Sequence, residues 1–180
     1  MKRWLLFALI VVVLGSCGPT PPIIRHRSTL QTGQNLGIRI GFEIGVTSDC
    51  VEPGQPLTII LTLYSFDHRP IDILAPLPLN IILVSDTKPL TQVASWSASP
   101  DYPAVIPALE PQEIRTYTWT WTPTDAVGPL WVDVQIMVQD ADGKQWCFND
   151  HTLLTGVGEG YGELGDENVR TKCADLQPAK

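Results

Sequence analysis

Four cysteines and three histidines are the side chains of this 180-residue chain best suited to chemistry, and their spacing limits what they can do. Cys147-x-x-x-His151 has a usable zinc-ligand spacing, and Cys50 and Cys173 would complete a three-cysteine, one-histidine set. No second closely spaced pair supports that site, so no metal and no cofactor are expected. Asp140-Ala141-Asp142-Gly143 places alternating carboxylates before a glycine, as calcium loops do. Residues 144–151 add only Asn149 and Asp150, with no bidentate glutamate, so a hairpin turn is expected instead. Glu43, Glu110, Glu113 and Asp133 stand in no context that implies a cleft or a raised pKa. His26 and His68 fall in polar, solvated stretches. No nucleophile elbow, phosphate loop or paired-histidine motif occurs, and the protein is read as a non-enzyme. The remaining candidates are aromatic. Tyr117, Trp119 and Trp121 alternate with Thr116, Thr118, Thr120 and Thr122, and with Trp96 and Trp131 they could stack a glycan. A period-two stripe also makes a core face, and burial discriminates the two.

The elements that must position these residues are strands. Sixteen prolines oppose a helical protein, and no helix-period stretch of useful length occurs between residues 37 and 150. Ile38, Ile40, Phe42, Ile44 and Val46 alternate with Arg39, Gly41, Glu43 and Gly45, and Leu57, Ile59, Leu61 and Leu63 alternate with Thr58 and Thr62. Pro53-Gly54 separates these two runs. Residues 70–78 read as an irregular crossing, 79–84 as a third apolar run and 90–96 as a weaker fourth. The threonine-aromatic run follows. Leu130, Val132, Val134, Ile136 and Val138 then alternate with Trp131, Asp133, Gln135, Met137 and Gln139 and lead through the aspartate turn into 144–148. Short strands with turn signals every eight to fifteen residues fit an all-β fold, a single immunoglobulin-like antiparallel β-sandwich of about seven strands over residues 36–150. Residues 151–180, with glycine at 156, 158, 160, 162 and 165 among acidic side chains, read as a mobile acidic tail with a short helix near Asp166.

Several short motifs are similar to the intracellular proteinase inhibitor family and related sandwich domains. They are Val93-Ala94-Ser95-Trp96-Ser97, Leu109-Glu110-Pro111-Gln112-Glu113, Tyr117-Thr118-Trp119 and Gly128-Pro129-Leu130, with Glu52-Pro53-Gly54-Gln55-Pro56-Leu57 resembling the start of the second strand in bacterial surface domains. The resemblance covers residues 36 to 140 and implies a fold more than an activity. Gln112 stands where that family's turn has glycine. If inhibition accompanied the fold, its loop would be the proline-punctuated stretch 99–106.

The N-terminus carries an address. Lys2 and Arg3 precede an unbroken apolar run over residues 4–14, about half the length a membrane span needs. The run ends in Leu14-Gly15-Ser16-Cys17, which resembles the lipobox of bacterial lipoproteins. The resemblance implies cleavage before Cys17 and acylation of Cys17, so residues 1–16 are a signal peptide and 17–35 a proline-rich and polar tether. Multiple acyl chains at one residue anchor stably. Removing 1–16 reduces the twelve basic side chains to ten against nineteen acidic, and the formal charge from -7 to -9.

Outside the cytosol one disulfide is expected among Cys50, Cys147 and Cys173. Cys50 with Cys147 and Cys50 with Cys173 are the two main alternatives, and the pole at which the first strand ends favours the second. Seventeen per cent charged residues with a net negative balance exclude a nucleic-acid partner. The expectation is a membrane-anchored, extracytoplasmic lipoprotein of a bacterial envelope. It meets the bilayer through acylated Cys17 and an envelope or extracellular protein through its sandwich. The alternatives are a carbohydrate-binding module and a protease inhibitor.

Overall fold

Branched apolar side chains at every second position, with threonine, glycine or polar residues between, bury their apolar atoms best as strands with one face inward. The computed structural model describes residues 24–28, 39–74, 79–86, 89–162 and 166–172, with side chains over 39–74, 79–86, 89–145 and 155–160. Its strands are β1 (Ile24–Ser28), β2 (Ile40–Val46), β3 (Leu57–Ser65), β4 (Asp72–Ile73), β5 (Leu79–Ser85), β6 (Thr91–Ser95), β7 (Ile114–Trp121), β8 (Gly128–Gln139), β9 (Gln145–Val157), β10 (Glu159–Gly162) and β11 (Asp166–Lys172). A 3-10 turn, Trp96–Ala98, follows β6. Two antiparallel sheets form the sandwich. One has the order β1-β2-β3-β7, and the other β11-β10-β9-β8-β5-β6, with β4 beside β8 past the end of β5.

The core lies between the sheets. Ile40, Phe42, Ile44 and Val46 of β2, Leu57, Ile59, Leu61 and Leu63 of β3, and Trp119 of β7 face Leu79, Ile81 and Leu83 of β5 and Leu130, Val132, Val134, Ile136 and Val138 of β8. All are buried, so the alternation read in the sequence is the inside-outside pattern of the sandwich. The aspartate turn is the β8-β9 hairpin. The Asp140 carboxylate accepts the amides of Asp142 and Lys144, each at 2.9 Å, which keeps it occupied within its own loop. Asp142 pairs with Arg69.

Four expectations need correction. The described residues contain eleven strands rather than about seven. The boundary expected at residue 150 does not exist, because β9 runs through it to Val157 and β10 and β11 extend the same sheet. Asp166 opens a strand and not a helix. Part of the expected tether is also strand, since β1 pairs along β2 from Ile24↔Val46 to Ser28↔Phe42. Residues 1–17 lie outside the described residues. The edge strands β1 and β11 lack apolar alternation, and the backbone of the neighbouring strand sets their conformation.

The late glycines mark close backbone approach. Gly158 turns the chain at φ +74°, and a Cβ on Gly156 would come within 2.2 Å of the Glu159 carbonyl oxygen. Only a residue without a side chain lets β9 and β10 meet there.

Two turns of the same design show what glycine contributes. In Glu52-Pro53-Gly54-Gln55 the Gln55 amide bonds the Glu52 carbonyl at 3.0 Å, and Gly54 has φ +84°. In Glu110-Pro111-Gln112-Glu113 the Glu113 amide bonds the Glu110 carbonyl at 3.1 Å, and Gln112 has φ +59°. Both have proline second and a positive φ third, the type II pattern. Left-handed backbone costs a side-chain-bearing residue about 1–2 kcal/mol, offset by about 0.5–1 kcal/mol of extra unfolded-state freedom when glycine replaces it. Gln112→Gly is expected to stabilise the protein by about 0.5–1 kcal/mol and raise its Tm by about 2–4 °C. A thermal melt with no rise contradicts this.

Candidate functional site

Among the described residues, the outer face of the β1-β2-β3-β7 sheet carries an exposed aromatic and apolar patch. Positions 58, 60, 62 and 64 of β3 alternate with the core residues and so point outward, followed by Phe66 just past the strand. Opposite them on β7 stand Thr120, Thr118, Thr116 and Ile114. The hydroxyls of Thr58 and Thr120 lie 3.1 Å apart and those of Thr62 and Thr116 3.2 Å apart, so a threonine ladder spans both strands.

At one end of this ladder the face becomes aromatic. The Tyr64 and Phe66 rings are parallel within 5°, with centroids 6.2 Å apart. Phe66 is 46% exposed and Ile114 66%. The Phe66 ring edge lies against the sheet because residue 41 is glycine, where a Cβ would stand 2.9 Å from Phe66 Cε2. The Tyr64 hydroxyl donates to the Glu43 carboxylate at 3.1 Å. The result is a patch of two stacked rings and an exposed isoleucine beside a carboxylate and paired hydroxyls. Such a patch can take C–H faces on its rings and hydroxyl groups at its polar side. The sequence reading missed Tyr64 and Phe66, although they continue the outward period of β3.

The aromatic residues expected at a platform occupy other places. Trp119 and Trp96 are each 2% exposed, and Tyr117 and Trp121 pack against the core. Trp96 is held between Tyr102, edge-on at 4.9 Å, and Tyr117, tilted at 5.5 Å. Its indole N–H has no hydrogen-bond partner among the described residues. These four form the interior wall of the sandwich and present no common exposed face. Trp131 sits apart from them on the outer side of β8, half-buried, its indole N–H donating to Asp86 at 3.1 Å.

The loop between β6 and β7 closes one side of the sandwich. Tyr102 donates to the Leu79 carbonyl at 2.7 Å, Ile106 is buried, and Val105 between Ala104 and Ile106 is 76% exposed. Arg115 fastens the loop to β7. Its guanidinium donates to the carbonyls of Pro107 and Ala108 and to both oxygens of Glu113, all at 2.7 Å. The amide of Glu110 holds the Glu113 carboxyl below its ordinary range; burial opposes it, and the hydrogen bond and charge of Arg115 lower it further. A carboxyl whose folded pKa is depressed contributes stability above its unfolded pKa, ordinarily 4.5, and loses it as pH falls through the lower folded value. Glu113→Gln is therefore expected to flatten the loss of stability below pH 4.5. Urea midpoints measured between neutral and acid pH test this, and an unchanged acid slope contradicts it.

Among the described residues no three histidine, cysteine or acidic side chains are grouped to hold a metal. The side chains of Cys147, His151 and Cys173 lie outside the described set, as does Cys17. Cys50 has no titrating thiol, its sulfur being disulfide-bonded. Its loop runs beside the end of β9, where the Val51 amide bonds the Gly156 carbonyl at 3.0 Å and the Gly158 amide bonds the Val51 carbonyl at 2.9 Å.

No family profile matches the chain and no curated protein matches it. Solved structures with similar arrangements include the CARDB domain of a Pyrococcus furiosus protein, 13% identical over 67% of this chain and 93% of that one, with a TM-score of 0.39. The C-terminal domain of wzt is 11% identical over 89% of this chain and 90% of that one, with a TM-score of 0.44. A sporulation control protein of Bacillus subtilis is 16% identical over 68% of this chain and 50% of that one, with a TM-score of 0.41. At these identities and scores they add nothing to the sandwich established by strand order and core.

Proposed function

We propose that the protein is a membrane-anchored, extracytoplasmic lipoprotein whose sandwich acts as a non-catalytic binding module of the cell envelope. The observation that carries the reading is Leu14-Gly15-Ser16-Cys17 directly after a short apolar run headed by Lys2 and Arg3. Acyl chains on Cys17 would hold the chain at a bilayer, and the net negative body would stand off anionic lipid heads. Binding rather than catalysis is supported by how the carboxylates are used. Glu43 accepts from Tyr64, Glu113 from Arg115 and the Glu110 amide, and Asp140 from its own turn. The surface offered to a partner is the outer face with Tyr64, Phe66 and Ile114, where apolar area is exposed within a polar surround. In a fractionation experiment, Cys17→Ser is expected to move the protein out of the membrane fraction. A variant processed like the parent and still membrane-bound sinks the anchoring half of the proposal. Capture of envelope proteins that is lost in Phe66→Ala supports the binding half, and equal capture by that variant removes this face from it.

A glycan ligand is the second reading, favoured by the parallel Tyr64 and Phe66 rings beside Glu43 and the threonine hydroxyls. Titration with neutral oligosaccharides, with Phe66→Ala as control, tests it. No binding by the unaltered protein at millimolar sugar ends it.

A further inference from the structure

We propose that β7 is the pairing edge for a second copy of this chain, joining two sheets into one antiparallel sheet across a twofold axis. The inference follows from the direction of backbone hydrogen bonds. The Thr47 amide bonds the Thr58 carbonyl and the Phe66 amide bonds the Arg39 carbonyl, so residues 58, 60, 62 and 64 of β3 turn their backbone groups toward β2. The Ser65 amide bonds the Glu113 carbonyl, so the intervening residues of β3 turn theirs toward β7. Glu113, Arg115, Tyr117, Trp119 and Trp121 therefore spend their amides and carbonyls on β3. Ile114, Thr116, Thr118 and Thr120 direct theirs away from it. No described strand lies beyond β7 in its sheet, and no described residue bonds those four amides and four carbonyls.

Such an edge is a template for another strand, and proteins ordinarily blunt it with lysine, proline, a bulge or brevity. The edge strand β6 of the other sheet is short and its pairing with β5 is bulged. β7 has none of these devices. It is eight residues long, pairs with β3 in unbroken register, and contains neither proline nor lysine. Its one charge, Arg115, is turned to Glu113 and the loop carbonyls.

A second copy is the occupant that this edge matches. Two copies of a chain with a formal charge of -7 repel each other at most surfaces, yet this strand offers a seam without net charge. Pairing antiparallel about Thr118 sets Thr118 against Thr118, Thr116 against Thr120, and Ile114 against Thr122 of the other copy. Threonine hydroxyls both donate and accept, so the ladder that already spans β3 and β7 continues across the seam. The exposed Ile114 is covered in the same step.

Oxidative cross-linking in the full-length, membrane-associated protein tests the register. In a hydrogen-bonded antiparallel pair, opposed Cα atoms stand about 5.5 Å apart, within disulfide reach. Thr118→Cys is expected to give a species of twice the chain mass on a non-reducing gel. Thr91→Cys on the other sheet's edge is the control and is expected to give no more than the unaltered protein. No product above that control from Thr116→Cys, Thr118→Cys or Thr120→Cys overturns the proposal. Thr118→Pro removes an outward amide and no bond within the sandwich. It is expected to convert a sedimenting dimer of the detergent-solubilised chain into a monomer with an unaltered circular dichroism spectrum. An unaltered chain that is monomeric at micromolar concentrations, or one whose β7 edge is held by a different polypeptide, also overturns the proposal.

Discussion

Trp119→Ala is expected to lower the unfolding free energy by about 3–5 kcal/mol, whereas Phe66→Ala should change it by no more than about 1 kcal/mol. The contrast separates two aromatic residues that neighbouring strands present to opposite sides of one sheet. Trp119 lies opposite Ile59 in the β3-β7 register and is 2% exposed, among the largest fully buried side chains. Truncating it removes dispersion contacts from a close-packed interior and leaves a cavity that the facing β5 and β8 side chains cannot fill without leaving their rotamers. Phe66 is 46% exposed, and beyond Tyr64 it rests against the bare backbone at Gly41. Its loss uncovers that glycine and little else. Urea unfolding followed by far-UV circular dichroism measures both. A Trp119→Ala loss below about 1 kcal/mol would show that the β7 aromatic stripe is not the wall of the core.

The second large effect concerns Cys50. We propose that its disulfide partner is Cys173, and that losing the bond costs about 4–5 kcal/mol in the chain-entropy picture, because the bridge closes roughly 120 residues. The placement comes from β-sheet register. The loop holding Cys50 is fastened to the end of β9 through Val51, Gly156 and Gly158, and the Thr155 hydroxyl donates to the carbonyls of Ser48 and Asp49. Glu159, next after Gly158, pairs with Lys172, the residue before Cys173. Cys147 pairs with Met137 near the far end of β9, nine residues before Gly156, which is about 30 Å along an extended strand. Cys50→Ser and Cys173→Ser should therefore lose equal stability and Cys147→Ser much less. Non-reducing peptide mapping decides the pairing directly, and a Cys50–Cys147 peptide would refute it.

Legibility differed from strand to strand for a physical reason. β2, β3, β7 and β8 carry branched or aromatic residues at period two, the mark of a strand with one face in the core, whereas β5, buried on both faces, shows as a short continuous apolar run. The aspartate turn into β9 was equally readable, since Asp140 bonds amides of its own loop. β1 and β11 were not, because edge strands bury too little to need a pattern. The glycines at 156 and 158 looked like mobility when read alone. In the fold they are the residues that let two strands approach within van der Waals distance. At Gln112 the sequence showed only a departure from the glycine of the family's turn, and the structure supplied its meaning. There the backbone takes a left-handed conformation with a side chain attached.

For the candidate site, the sequence by itself determined which side chains share a face of each strand. Thr116, Thr118 and Thr120 had to lie opposite Tyr117, Trp119 and Trp121, and one set had to be buried. It determined the all-β class and carried the N-terminal segment from which membrane anchoring is proposed. Only the tertiary structure decided that the aromatic set faces inward, that Phe66 stands exposed beside a half-buried Tyr64 instead, that Val51 meets the end of β9, and that among the described residues no strand pairs with the outer edge of β7. A side-chain period states how a residue points relative to its own strand. What stands across from it is set by pairing between segments dozens of residues apart, and no local pattern contains that.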